Sequence, residues 1–110
     1  MVQLSSFGRL TIDIRKLEDY CLDPRHPRGR HKARVFQRAL GLSRDDAAWL
    51  RDALLREAPG ADASEIANDR FGLRLQLDTL LARQERQAMV RSLWIVENGA
   101  GPRLVTCWVL

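Results

Sequence analysis

The chain is poor in the residues that usually announce a function. Cysteine occurs twice, histidine twice and tyrosine once, and aromatic residues fill 6% of its 110 positions. Cys21 and Cys107 stand far apart, and neither has a cysteine or histidine neighbour at metal-ligand spacing. Each therefore reads as a small apolar residue, Cys21 in a helix-like stretch and Cys107 in a strand-like one. No apolar run approaches the roughly 20 residues of a membrane span. The opening "MVQLSSFGRL" lacks a basic segment followed by an apolar stretch, which argues against a signal peptide and for a cytoplasmic protein. Gly-rich phosphate loops and nucleophile elbows are missing, and the carboxylates are scattered. No metal and no cofactor is expected. Trp94 and Trp108 fall in apolar strands and read as core, which leaves few rings for stacking on bases.

What is present is charge, unevenly spread. The formal net charge is +4. Arg25, Arg28, Arg30, Lys32, Arg34 and Arg38 crowd into fourteen positions without one acid among them, while the rest of the chain is slightly acidic. That asymmetry marks one surface for an anion. A hydrophobic fraction of 45% and a charged fraction of 29% are those of an ordinary soluble globular protein, and the length suits one domain over residues 1–110.

The periodicity changes along the chain. "LTIDI" alternates as a short half-buried strand, and "RKLEDYCLDP" reads as a short helix stopped at Asp23-Pro24. Residues 24–29 form a loop. From Arg30 to Leu40 the pattern is helical, with Val35, Phe36, Ala39 and Leu40 as its apolar stripe and Gly41 as its cap. Ser43 and Asp46 have capping-box spacing, and the helix they open runs to about residue 58. Then the period becomes two. "LRLQLD", "QAMVRSLWIV" and "RLVTCWVL" read as strands, with a further one within 61–71. Leu73, Leu77, Leu80 and Leu81 also fit a helix, but Gly72 opens a strict alternation and favours a hairpin. The expected fold is α+β: helices over about 14–58, packed on one face of a four-stranded antiparallel sheet over about 61–110. In the last strand, Leu104, Thr106 and Trp108 are expected to oppose Val105, Cys107 and Val109.

The basic helix is the place for chemistry. Arg30, Arg34 and Arg38 follow i, i+4, i+8 spacing, and His31 lies beside Arg34 and Arg38. Like charges at these spacings cost several tenths of a kcal/mol per pair in isolated helices, and cations sit badly at the positive end of the helix dipole. An anionic partner would relieve both penalties. Cleaving RNA through its 2′-hydroxyl needs a base, an acid and cations for the phosphorane, roles that His, Lys and Arg cover without a metal. His31 is thus a candidate general acid or base, with phosphate contact and plain surface exposure as the other readings. His26, between Arg25 and Pro27, reads first as a capping or packing residue. Arg91 interrupts an apolar strand, and Arg103 opens another with Thr106 three residues on, so each needs an open face or a partner.

The run "KLEDYCLDPRHPRGRHKARVFQRALGL" and the distant "VRSLWIVENGAGPRLVTCWVL" resemble an uncharacterised bacterial domain family. Its pattern is a Lys-Leu-x-x-Tyr helix, a His-Pro-x-Gly-[Arg/Lys]-His-Lys-Ala-Arg-x-Phe segment and a closing Pro-Arg-Leu-Val-Thr strand. The layout is similar to the barnase/EndoU/colicin/RelE-like ribonuclease superfamily, whose members serve as toxins beside antitoxin or immunity proteins. The resemblance implies a metal-independent ribonuclease-like domain. Its catalytic neighbourhood would be His31, Lys32, Arg34, Arg91 and Thr106, with His26, Arg28, Arg30, Arg38 and Arg103 on phosphate. RNA and an acidic antitoxin or immunity protein are the implied partners. A non-catalytic basic module docking nucleic acid or an acidic protein is the alternative. A homodimer through the apolar final strand is a third expectation, and no membrane partner is expected.

Overall fold

The computed structural model describes residues 2–110. A two-residue strand β1 (Val2–Gln3) comes first, then helices α1 (Arg30–Leu40) and α2 (Ala47–Glu57). Strands β2 (Asp62–Asp69), β3 (Gly72–Arg83), β4 (Arg86–Val96) and β5 (Arg103–Val109) follow. They form one sheet in the order β1-β2-β3-β4-β5, each strand antiparallel to its neighbour. Among the described residues, no helix is long and apolar enough to cross a membrane.

The α+β expectation therefore stands, with five strands in place of four. The extra strand arises because Val2 and Gln3 pair with Ala63 and Asp62, a contact too short to leave a periodic signal. The strand expected at residues 10–14 is absent. Thr11 alone makes a parallel bridge to Arg103, its N–H donating to the Pro102 carbonyl at 2.9 Å and its carbonyl accepting from Leu104 at 3.1 Å. The alternation of Leu10, Ile12 and Ile14 reports burial of one side of an extended segment, not membership of a ladder.

The second half settles as a hairpin. β3 and β4 pair without interruption from Leu73↔Val96 to Arg83↔Arg86, joined by Gln84 and Glu85 alone. Leu75, Leu77, Thr79 and Leu81 are buried, whereas Leu80, which the helical reading needs in its stripe, is 53% exposed. No Pro or Gly occupies this turn; Gln84 itself takes the left-handed conformation, at φ 56°.

The inner face of the sheet carries Leu75, Leu77, Leu81, Val90, Trp94, Leu104 and Cys107, and the helical layer meets it with Phe36, Leu40, Leu50 and Leu54. Truncating a side chain in such a core typically costs about 2–5 kcal/mol. Trp94 is fully buried and donates its indole N–H to Ser92 Oγ at 2.9 Å, so both buried polar groups are satisfied. α1 buries Ala33, Phe36 and Leu40 and ends at Gly41, which has φ 68° and donates to the Gln37 carbonyl. The Ser43–Asp46 capping box forms ahead of α2 as the sequence indicates. Arg83, at the end of β3, donates to the Leu40 and Gly41 carbonyls at 3.1 Å each and to Asp46 at 3.2 Å. That guanidinium bolts the tip of the hairpin to the joint between the helices.

β5 departs from simple alternation. Its register against β4 slips between Leu93 and Trp94, leaving Val105 as an extra residue. The bulge places Leu104 and Cys107 both in the core and turns Thr106 toward the helical layer, where Cys21 and Lys32 meet it. Trp108 lies outside the core, contrary to its apolar sequence context.

A non-glycine residue in the left-handed region carries a penalty that glycine does not. Gln84→Gly is expected to stabilise the protein by about 0.5 kcal/mol, after allowing for the greater freedom of glycine in the unfolded chain. Urea denaturation checks this, and an unchanged or lower midpoint would refute it.

Candidate functional site

Three pieces of chain converge on Lys32. The first is a single π turn over Leu17–Cys21, closed by the Leu22 N–H donating to the Leu17 carbonyl at 2.8 Å. It points Tyr20 and Cys21 toward β5. Turns of this type recur at functional positions. The second is the loop 24–29, pressed so closely on the π turn that a Cβ on Gly29 would stand 2.2 Å from the Tyr20 carbonyl oxygen. Only glycine permits that approach. The third is the bulged strand β5.

His26 holds the loop to the helix. Its Nδ1 accepts the N–H groups of Arg28 and Gly29, each at 3.0 Å, and its carbonyl accepts that of Arg30. The ring also stands edge-on to Tyr20, centroids 4.8 Å apart. His26 thus pins the loop that enters α1, one of the two roles, capping or packing, that its sequence position suggests first.

Lys32 donates to Tyr20 Oη at 3.0 Å and to Thr106 Oγ1 at 3.4 Å. Its ammonium lies 4.8 Å from the centre of the Tyr20 ring and 5.2 Å from that of Trp108. Aromatic faces and neutral hydroxyls stabilise the cation without neutralising it. Among the described residues, no carboxylate comes within ion-pair distance of Lys32, Arg25, Arg28, Arg30, Arg34 or Arg38. Elsewhere Arg15, Arg44, Arg51, Arg56, Arg74, Arg83, Arg91 and Arg103 each have an acidic partner, while Arg9, Lys16, Arg70 and Arg86 have none among the described residues. The free cations are concentrated on α1 and the loop before it.

His31 is exposed and lines two adjoining depressions. One, with Arg34, Val35, Gln37 and Arg38, is evenly polar and apolar; the other, with Lys32, Val35, Trp108 and Val109, is mostly apolar. His31, Lys32, Arg34 and Thr106 therefore share one neighbourhood, with Arg30 and Arg38 along the same helix. Arg91, opposite Trp108 in the β4–β5 ladder, and Arg103 are each engaged by an acid. Arg91 makes a two-pronged bond to Asp78 at 2.8 and 3.0 Å, and Arg103 binds Glu97 at 2.5 Å. Arg28 is exposed in the loop, its side chain free of acid. Sequence reasoning missed Tyr20, Trp108 and Cys21; the Lys-Leu-x-x-Tyr spacing was the available signal for the first, and the other two were assigned to the core.

Cys21 and Cys107 are both fully buried. Thr106 accepts from Lys32, so its own hydroxyl hydrogen is available to Cys21 Sγ, 3.6 Å away. The Cys107 thiol and backbone N–H also face the Cys21 sulfur. These donors, with Lys32 nearby, draw the Cys21 thiol down to about 6, chiefly through the bond from the Cys107 thiol and against the cost of burial. Cys107 is pushed up by its bond to Cys21 and by burial. The pair is arranged to hold one negative charge, on Cys21, beneath Lys32. Among the described residues, no three His, Cys, Asp or Glu side chains gather as metal ligands would.

The model of a domain of unknown function, DUF6883, matches residues 3–110, and the chain belongs to that family. No curated protein and no solved structure matches it.

Two outcomes follow from this geometry. Losing the His26 ring leaves the Arg28 and Gly29 N–H groups of the entry loop without that acceptor, so His26→Ala is expected to cost about 1 kcal/mol in urea denaturation. A change within error would remove His26 from that role. The second concerns pH. Cys21 sheds its proton at about 6 in the folded state against 9.0 for the free thiol. Its contribution to stability is therefore full above 9.0 and fades as pH falls through about 6. Cys107, raised, has its own effect only at still higher pH. Between those limits the wild type should gain stability over Cys21→Ser as pH rises. Parallel curves for the two proteins would overturn the assignment of the charge to Cys21.

Proposed function

We propose that the domain acts on RNA as a metal-independent ribonuclease of the kind used as a bacterial toxin, with the layout of the barnase/EndoU/colicin/RelE-like superfamily. The observation that carries this reading is the concentration of unpaired cations on α1 and its entry loop, centred on Lys32. Eight arginines elsewhere are paired with acids, and these six unpaired cations lie together within fourteen positions, open to an anion. Phosphate oxygens satisfy that need, and repeated phosphates on one strand match the repeated arginines of the helix.

On this reading Arg28, Arg30, Arg34 and Arg38 track the backbone. Lys32, held by Tyr20 and Thr106, faces the phosphorane. His31 lies in the same cleft and moves the proton of the 2′-hydroxyl or of the leaving oxygen. Thr106 positions Lys32. Trp108, half-buried at the rim, offers a face on which a base stacks, a mode worth about 1–3 kcal/mol per base where it occurs. Arg91 and Arg103 shape the sheet through their acidic partners. An acidic antitoxin or immunity protein would cover the same cationic face, the large positive patch giving it fast, salt-sensitive association.

One observation favours a second reading, a non-catalytic module that docks nucleic acid or an acidic protein. The His31 side chain has no hydrogen-bond partner among the described residues, so nothing fixes its tautomer as an acid–base pair usually requires. Strand-to-strand homodimerisation has less support: Thr11 covers the start of the β5 edge, and the Cys107 N–H is turned to Cys21.

Incubating the purified protein with a defined RNA in EDTA, beside His31→Ala and Lys32→Ala, separates the readings. The nuclease reading expects products with 2′,3′-cyclic phosphate ends, and a loss of turnover of about 10²–10⁴-fold in His31→Ala with binding retained. Intact RNA that nevertheless binds, with affinity falling steeply with salt, would transfer the assignment to the docking module. Neither cleavage nor binding would refute both for RNA.

A further inference from the structure

We infer that the cleft at the end of the sheet, between the β2–β3 turn and the β4–β5 loop, takes one nucleotide of a single-stranded RNA. Its base stacks on Phe71 and its phosphate lies against Arg9 and Arg70. The inference rests on RNA as the ligand of the proposed function, not on its cleavage.

β2 and β3 close on the pair Asp69↔Gly72, so Arg70 and Phe71 alone make the turn. Two-residue turns favour glycine, asparagine and aspartate, which adopt the tight backbone at least cost. Phe71 serves no core: its ring is 59% exposed and lies outside the buried cluster. The Arg70 guanidinium stands over it, 4.9 Å from the ring centre. Folding does not account for an aromatic ring at the tip of such a turn. An aromatic face beside a cation is what a nucleobase and its phosphate need.

The ring borders a cleft of about 930 Å³, walled by Phe7–Arg9, by the turn, and by the loop after β4. Close packing fixes these walls. A Cβ on Gly101 would run into the Arg9 carbonyl, and one on Gly72 would stand 2.7 Å from the Val96 carbonyl oxygen. The charges around the cleft are sorted. Asp69 accepts the Phe71 N–H at 2.9 Å and pairs with Arg74, and Glu97 pairs with Arg103. Arg9 and Arg70 are exposed and have no acid within ion-pair distance among the described residues. The acids of the cleft are engaged and its arginines are open to a phosphate.

A protein partner fits less well. Rings that anchor protein interfaces are surrounded by further contacts that exclude water. Beside Phe71 the lining carries exposed Asn68, Arg70 and Asn98. Those amides supply donors and acceptors for a base edge. The cleft is also near the basic helix. Gly101 lines it, and Thr106, five residues on, touches Lys32. Five residues span at most about 18 Å, so one strand of several nucleotides reaches both.

The test uses a single strand of about twelve nucleotides carrying 5-iodouracil, with 2′-O-methyl sugars that block attack by the 2′-hydroxyl. After irradiation with the protein and tryptic digestion, an adduct is expected on a peptide containing Phe71. Phe71→Ala is expected to weaken binding about 5- to 150-fold with an unchanged urea midpoint, and Phe71→Trp to restore it. Arg9→Ala is expected to reduce the salt dependence by about one phosphate contact. Inorganic polyphosphate, which has charge but no base, is expected to bind Phe71→Ala and wild type alike. Adducts confined to α1 peptides, or wild-type affinity in Phe71→Ala, would overturn the inference and leave the ring to a protein partner. Equal weakening toward RNA and polyphosphate would overturn the base site. No binding of the probe by the wild type would overturn the inference together with RNA as the ligand. Because the probe resists cleavage, failure of the nuclease reading alone does not move this result.

Discussion

The molecule depends on holding one electrostatically unfavourable helix in place. α1 opens with cations at the end of the helix where the dipole disfavours them, has no acid in its first turn, and repeats arginine on one face. What fixes it is apolar and local. Ala33, Phe36 and Leu40 dock on the sheet, His26 holds the entry loop through the Arg28 and Gly29 N–H groups, and Gly41 with Arg83 satisfies the last carbonyls. The structure thus carries a cost at the surface of α1 that its underside and its two ends offset. The cationic face is left free of acid because the stability of the helix does not rest on ion pairs.

The same arrangement sets the character of the centre around Lys32. Gly29 lets the entry loop lie on the π turn, the π turn presents Tyr20, and the bulge in β5 presents Thr106. Each is a local irregularity: a missing side chain, a widened turn, an extra residue. Together they surround an ammonium with hydroxyls and aromatic faces. A carboxylate in any of those places would have made an ion pair and ended the ammonium's availability to a ligand. The irregular elements are conspicuous against a sheet whose central hairpin pairs without a break.

Much of the fold was legible because its signals are periodic or chemical. Helix α1, the Gly41 cap, the Ser43–Asp46 box and the change to strands all appear in the sequence at their observed positions. The missing pieces share a cause. β1 is two residues long, the bridge at Thr11 is one pair, and the bulge at Val105 is one residue, so none spans a full period. Cys107 is in the core as its apolar reading expects, but Trp108 is not, and the bulge explains why Leu104 and Cys107 share a face that strict alternation would separate. At the site, proximity along α1 was readable, since His31, Lys32, Arg34 and Arg38 share one helix. Proximity across the fold was not. Nothing in the spacing tells Arg91 that Asp78 lies opposite it on β3, or brings Cys21 to Thr106. Charge imbalance was visible as a number, but which arginines were already neutralised became visible only with their partners in space.

The meander puts the first strand and the last at opposite margins of the sheet. With neighbouring strands about 4.8 Å apart, β1 and β5 are separated by roughly 19 Å. α1 packs on the β4–β5 side. A polypeptide joined ahead of residue 2 therefore leaves from the margin remote from the basic helix, and one joined after residue 110 leaves beside it. In any fusion the two attachments start apart by the width of the sheet, and the trailing one starts nearer the cationic face.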